Sequence, residues 1–139
     1  MFSIEHLGIA VNNLEEGENL FSKILNTLPY KREEVASQGV ITSFFQTGES
    51  KVELLAATRD DSPIARYLEK KGEGIHHVAF AVQDIKAEMV RLEQQGFQLI
   101  NKQPERGADN KWICFLHPKN TSGVLIELCQ EVRDTEDGF

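Results

Sequence analysis

Two histidines and two glutamates in this 139-residue sequence recur as matching pairs. His6 opens the segment His6-Leu7-Gly8-Ile9-Ala10-Val11, and 71 positions later His77 opens His77-Val78-Ala79-Phe80-Ala81-Val82. Glu53 lies in Val52-Glu53-Leu54-Leu55, and Glu127 lies in Ile126-Glu127-Leu128-Cys129. The histidine-to-glutamate spacing is 47 in the first copy and 50 in the second, so the pairs hold corresponding places. A carboxylate inside an apolar strand is costly unless it is paired or bound to a cation. Two imidazoles with two carboxylates form an N2O2 donor set suited to Zn, Co, Ni, Mn or Fe. Taken singly, a strand histidine is an ordinary hydrogen-bonded residue and a strand glutamate an ordinary solvent-facing one. Their duplication at matching places points instead to a metal or catalytic site.

The elements that position these residues also repeat. Each histidine segment reads as a strand followed by a polar break and a helical pattern. After Asn12-Asn13 the apolar positions Leu14, Phe21, Ile24, Leu25 and Leu28 follow a helical period, with Asn13 and Glu16 spaced as a capping box. After Gln83 the residues Ile85, Met89 and Leu92 mark one helix face, with Asp84 as cap and Gly96 ending the run. Residues 39–47 and 51–57 read as paired strands around the turn Thr47-Gly48-Glu49-Ser50. Residues 111–116 and 123–130 repeat that pair around His117-Pro118-Lys119-Asn120, and short strands at 31–36 and 97–101 complete each half. The halves are therefore both β-α-β-β-β, an α+β class. Module 1 spans about 4–58 and module 2 about 75–130, within one domain of residues 1–139. Between them Ser62-Pro63 caps a linking helix over about 62–71 with Ile64, Tyr67 and Leu68 inward. Residues 131–139 are mostly charged and read as a loose tail.

Strand alternation sets the side-chain directions. Leu7, Ile9 and Val11 face the following helix, as do Val78, Phe80 and Val82 in the second copy. His6, Gly8 and Ala10 point the other way, as do His77, Ala79 and Ala81. Each histidine thus heads a column of small side chains that leaves room in front of it. His76 has the opposite parity to His77 and reads as a supporting residue. His117 reads as a turn cap and Trp112 as a packing residue.

Composition narrows the function class. A formal charge of -7 argues against a nucleic-acid surface. The longest apolar runs fall far short of the ~20 residues that cross a bilayer, and the N-terminus has no secretion-signal pattern, so a cytoplasmic protein is expected. Cys114 and Cys129 lack metal-ligand spacing and read as buried reduced thiols. Lys102, Arg106, Lys111 and Lys119 gather against Glu105 and Asp109, a local excess of positive charge that reads first as a solvated loop.

These residues resemble the vicinal-oxygen-chelate superfamily, and within it the methylmalonyl-CoA epimerases, over about residues 4–130. The resemblance rests on the two His and Glu segments, on Gly74-Ile75-His76-His77, and more narrowly on Asp61-Ser62-Pro63-Ile64 and Phe115-Leu116-His117-Pro118-Lys119. It implies that the two βαβββ modules form one open, barrel-like curved sheet around a metal held by His6, Glu53, His77 and Glu127. It implies cobalt, with zinc, manganese or nickel as alternatives, and a homodimer. The implied reaction is epimerisation of methylmalonyl-CoA at C2 through an enolate. Some family members are thought to use a glutamate near the position of Thr42, so here Glu127 and Glu53 are the candidates for proton transfer. Lys111, Lys119 and Arg106 match places near the acyl-CoA entrance. A glyoxalase I-like isomerisation of a glutathione hemithioacetal and a non-catalytic small-molecule binder are the competing functions. An extradiol dioxygenase would need one carboxylate ligand fewer.

Overall fold

The computed structural model describes residues 1–133, so most of the expected tail lies outside the described residues. In chain order the elements are β1 (Ser3–Ala10), α1 (Leu14–Leu25), β2 (Lys31–Val35), β3 (Val40–Thr47), β4 (Ser50–Ala57), α2 (Pro63–Lys71), β5 (Gly74–Ala81), α3 (Ile85–Gln94), β6 (Glu105–Gly107), β7 (Lys111–Leu116) and β8 (Ile126–Glu131). The order β-α-β-β-β recurs on either side of the linking helix, with the short third element of the second half at β6 rather than at 97–101. Hydrogen bonding orders the strands β2-β3-β4-β1-β5-β8-β7-β6.

Two compact units divide the described residues, one of Glu5–Val78 and one of Met1–Ile4 with residues 79–133. The boundary falls inside β5. In the first unit, β2, β3 and β4 form an antiparallel ladder, and β1 adds to β4 in parallel. In the second, β6, β7 and β8 are antiparallel.

Each helix begins where a short polar side chain satisfies an orphan backbone N–H. Asn13 Oδ1 accepts from Glu16 N at 2.9 Å, Ser62 Oγ from Ala65 N at 3.1 Å, and Asp84 Oδ1 from Ala87 N at 3.1 Å. Apolar burial then fixes which side of the strands each helix covers. Val11, Leu14, Phe45, Leu54 and Ala56 form the core under α1, with Ile9 and Val52 beside them. In the second unit Ile85, Met89 and Leu92 of α3 pack on Cys114, Leu116 and Leu128. The helix-facing side of β1 is thus taken by Ile9 and Val11, while His6, Gly8 and Ala10 are buried on the other side.

Three sequence expectations shift. Ile24 lies on the outer side of α1 and is exposed, and Leu28 is exposed because α1 stops at the left-handed Asn26 before Leu28 can join its face. The strand expected at 97–101 is reduced to a bridge between Leu99 and Leu116. There the Asn101 side chain, not a backbone carbonyl, accepts from Phe115 N at 2.8 Å, and the ladder resumes only at β6. The last strand begins at Ile126 rather than Gly123, since Ser122 and Gly123 both take positive φ in the preceding turn.

Candidate metal centre

His6, Glu53 and His77 meet within the unit Glu5–Val78. His6 is on β1, Glu53 on β4, and His77 near the middle of β5. The β1/β4 register sets Glu53 beside Gly8, two residues along the same face from His6. His6 Nε2 is 3.0 Å from His77 Nε2 and 3.2 Å from Glu53 Oε2. All three residues are buried. Divalent-ion bonds of about 2.1 Å at tetrahedral or octahedral angles place neighbouring donors roughly 3.0–3.4 Å apart. These separations fit that spacing, and the nitrogen and carboxylate donors suit a first-row divalent ion.

Gly8 makes this meeting physically available. A Cβ on residue 8 would lie 2.1 Å from His77 Cε1 and 2.4 Å from its Nδ1. The imidazole of His77 therefore occupies the volume that any other residue type at position 8 would fill. The column of small residues expected beside the histidines has this concrete role.

The outer nitrogens of both imidazoles are also engaged. His6 Nδ1 lies 2.8 Å from Glu5 Oε1, and Lys51 Nζ donates to Glu5 Oε2 at 3.0 Å. Burial pushes the Glu5 carboxyl up, but hydrogen bonds from His6 and Lys51, with their positive charge, outweigh it and hold it at about 2. Because that carboxylate only accepts, His6 Nδ1 carries a proton toward it, which leaves Nε2 as the ring atom aimed at His77. His77 Nδ1 lies 2.9 Å from His76 Nδ1. Burial pushes the His76 imidazole down to about 4. Burial also drives His77 well below its ordinary value, with the charges of His6 and His76 adding to it. The His76 and His77 rings are consequently neutral near pH 7, and neutral imidazole is the form that binds a metal.

Glu127 belongs to the other unit. It is buried on β8 opposite Phe115, on the strand face away from α3. Burial raises the nearby Cys114 thiol to about 12, with the Glu127 charge adding to the shift. Thr42 is buried on the same strand face as Glu53, and its hydroxyl donates to Glu33 O at 3.1 Å. The three candidate cations have different partners. Lys111 is buried with Nζ 3.3 Å from Glu131 Oε1. The Arg106 guanidinium lies 5.0 Å from the Trp112 ring centre and donates to Asn110 Oδ1. Lys119 is exposed in a single 3-10 turn capped by His117 Nδ1, which accepts from Lys119 N. His117 is thus the cap the sequence suggested, and Trp112 packs against the α3 core.

Sequence reasoning missed Glu5 and Lys51. The available signal was weak: Glu5 adjoins His6, and Lys51 is the register partner of His6 across β1/β4.

Comparison with known proteins follows the same lines. The model of the Glyoxalase/Bleomycin resistance protein/Dioxygenase superfamily matches residues 5–115. An uncharacterized protein of Bacillus subtilis (strain 168), YqjC, is 38% identical over 96% of this chain and 96% of its own length. The mitochondrial methylmalonyl-CoA epimerase of Homo sapiens is 35% identical, covering 91% of this chain and 73% of that protein. A variant of Streptomyces coelicolor methylmalonyl-CoA epimerase in complex with 2-nitronate-propionyl-CoA superposes with a TM-score of 0.87 at 32% identity, covering 94% of this chain and 97% of that one.

Proposed function

The chain belongs to the Glyoxalase/Bleomycin resistance protein/Dioxygenase superfamily, and from that premise we propose that it is a metal-dependent methylmalonyl-CoA epimerase. The observation that carries this reading is the meeting of His6 Nε2 with both His77 Nε2 and Glu53 Oε2. Relatives bearing the epimerase name match nine-tenths of the chain, and one of them is solved with an acyl-CoA analogue.

In this proposal His6, Glu53, His77 and Glu127 hold one divalent ion, with cobalt the first choice and zinc, manganese or nickel the alternatives. Bound there, the ion would polarise the thioester carbonyl and the free carboxylate as C2 loses its proton. Two groups must then act on opposite faces of the planar enolate. The proposal assigns them to Glu127 and Glu53, one taking the C2 proton and the other returning it. Thr42 is no substitute, since a hydroxyl is too weak a base and this one already donates to Glu33 O. Lys111, Lys119 and Arg106 are assigned to the phosphates of the CoA tail. The homodimer and the cytoplasmic location complete the reading, and both rest on resemblance and composition. Among the described residues, no helix is long and apolar enough to cross a membrane.

The deciding experiment is deuterium incorporation at C2 of methylmalonyl-CoA in heavy water, with cobalt and with chelator. Incorporation with cobalt that stops on chelation supports the proposal; its absence with metal present removes it. In Glu53→Gln and Glu127→Gln, full exchange with metal retained would sink the proton-transfer assignment alone.

A further inference from the structure

We propose that the residue just before each ligand histidine is its positioning residue, Glu5 for His6 and His76 for His77. This rests on reading His6 and His77 as ligands of a divalent ion.

Neighbouring residues on a strand normally project to opposite faces, so the side chains of positions i−1 and i rarely touch. Here they do so twice, at the same place in both repeats and at the same ring atom. Glu5 Oε1 meets His6 Nδ1 at 2.8 Å, and His76 Nδ1 meets His77 Nδ1 at 2.9 Å. In each case the contact occupies the outer nitrogen and directs Nε2 at the other histidine, 3.0 Å away.

Each positioning residue is itself braced. Lys51, opposite His6 in the β1/β4 register, donates to Glu5 Oε2 at 3.0 Å, so both carboxylate oxygens are fixed. The His76 ring stands edge-on to Tyr67 with centroids 4.7 Å apart, and the Tyr67 hydroxyl donates to Ile75 O at 2.9 Å. Tyr67 lies on α2, so the linking helix reaches His77 through two aromatic rings. For His77 to present an Nε2 lone pair, its Nδ1 must carry the proton and His76 Nδ1 must accept it.

The two arrangements differ in charge. Glu5 is an anionic acceptor and makes His6 the more electron-rich donor, while His76 is a neutral acceptor that mainly fixes the ring angle. Loss of either should weaken metal binding, and loss of Glu5 should weaken it more.

The test is Co2+ affinity of the full chain, measured by competition with a chromophoric chelator, alongside the visible absorption of the bound Co2+. Glu5→Leu and His76→Phe should each lose roughly 10–100-fold in affinity, as supporting partners of metal-bound histidines do. Melting of the metal-free variants should stay close to that of the parent. Glu5→Gln, whose amide oxygen still accepts from Nδ1–H, should recover part of the loss and restore the parent's Co2+ spectrum. A packing role would instead treat Gln and Leu alike. If either variant fails to fold, Glu5→Gln and His76→Gln carry the comparison, with a smaller expected loss. His6→Ala separates the two levels of inference. If the parent binds Co2+, His6→Ala does not, and the Glu5 and His76 variants bind as the parent does, the positioning roles are refuted and the metal centre stands. If the parent and His6→Ala behave alike, the metal reading fails and this inference falls with it.

Discussion

Replacing Gly8 by alanine adds one methyl group where the His77 ring already sits. The new Cβ would lie 2.1 Å from His77 Cε1, 2.4 Å from Nδ1 and 2.7 Å from Nε2. Ordinary van der Waals contact begins at 3.4 Å, so the ring must retreat by about 1.3 Å or the strands must separate by as much. The ring cannot swing away cheaply. It is buried, its Nδ1 is engaged by His76, and its Nε2 faces His6. Overpacking of this kind costs about 1–3 kcal/mol. At roughly 3–5 °C per kcal/mol for a chain of this length, the metal-free melting temperature should fall by about 3–15 °C. Metal bonds tolerate only about 0.2 Å, so a 1.3 Å retreat also removes His77 as a donor. Co2+ affinity should drop by at least the ~100-fold seen when a strong supporting partner is lost. Gly17→Ala is the matched control, because the nearest atoms to its Cβ would be Val11 Cγ1 at 3.2 Å and Leu54 Cδ1 and Val11 Cγ2 at 3.3 Å, side chains that can yield slightly. Chelator competition and thermal melts in excess EDTA read the two effects separately. If Gly8→Ala binds Co2+ within threefold of the parent and melts with it, the close packing of His77 on Gly8 is refuted.

Other outcomes follow from features outside the centre. Ser62→Ala removes the α2 cap at a fully buried site and should cost about 1 kcal/mol in denaturant unfolding. Glu18 is held below its ordinary carboxyl value by its hydrogen bonds to Arg32, against burial, with Ser43 assisting. Its contribution is therefore present above pH 4.5 and lost as pH falls through the lowered value. In acid titration of the melting temperature, Glu18→Gln should start lower and decline less steeply below pH 4.5 than the parent does; parallel curves would contradict this. Burial raises the Cys114 thiol to about 12, so a thiol reagent at pH 8 should label it only after denaturation. That same upward shift destabilises the fold relative to the unfolded chain as pH rises above the ordinary thiol value of 9.0, an effect absent in Cys114→Ala.

Much of the frame could be read from residue patterns because those patterns record local rules. Asn13, Ser62 and Asp84 cap the three helices, and strand alternation put His6 with Gly8 on the face away from α1. What escaped were effects that depend on a partner distant in sequence. Glu18 has the charge of a surface residue, yet α1 turns it inward to meet Arg32 and Ser43, which β2 and β3 bring beneath it. Ile24 has the right spacing for a core position and lies on the exposed flank instead. Asn101 supplies an acceptor to Phe115 from its side chain and so ends a strand that composition alone favours. Glu5 looked like one more acid before a histidine until Lys51 fixed its second oxygen.

The compact unit that contains His6 and Glu53 ends at Val78, and so takes His77 from the second repeat. The boundary between the sequence repeats and the boundary between the compact units are therefore different cuts of the same polypeptide. A chain severed at the sequence repeat, near Gly72, would leave His6 and Glu53 on one fragment and strand Gly74–Val78 with its histidine on the other. Neither piece would own the His6–His77 pair. Cobalt uptake on mixing two such fragments would then serve as a reporter of strand exchange, colourless until β5 is handed across.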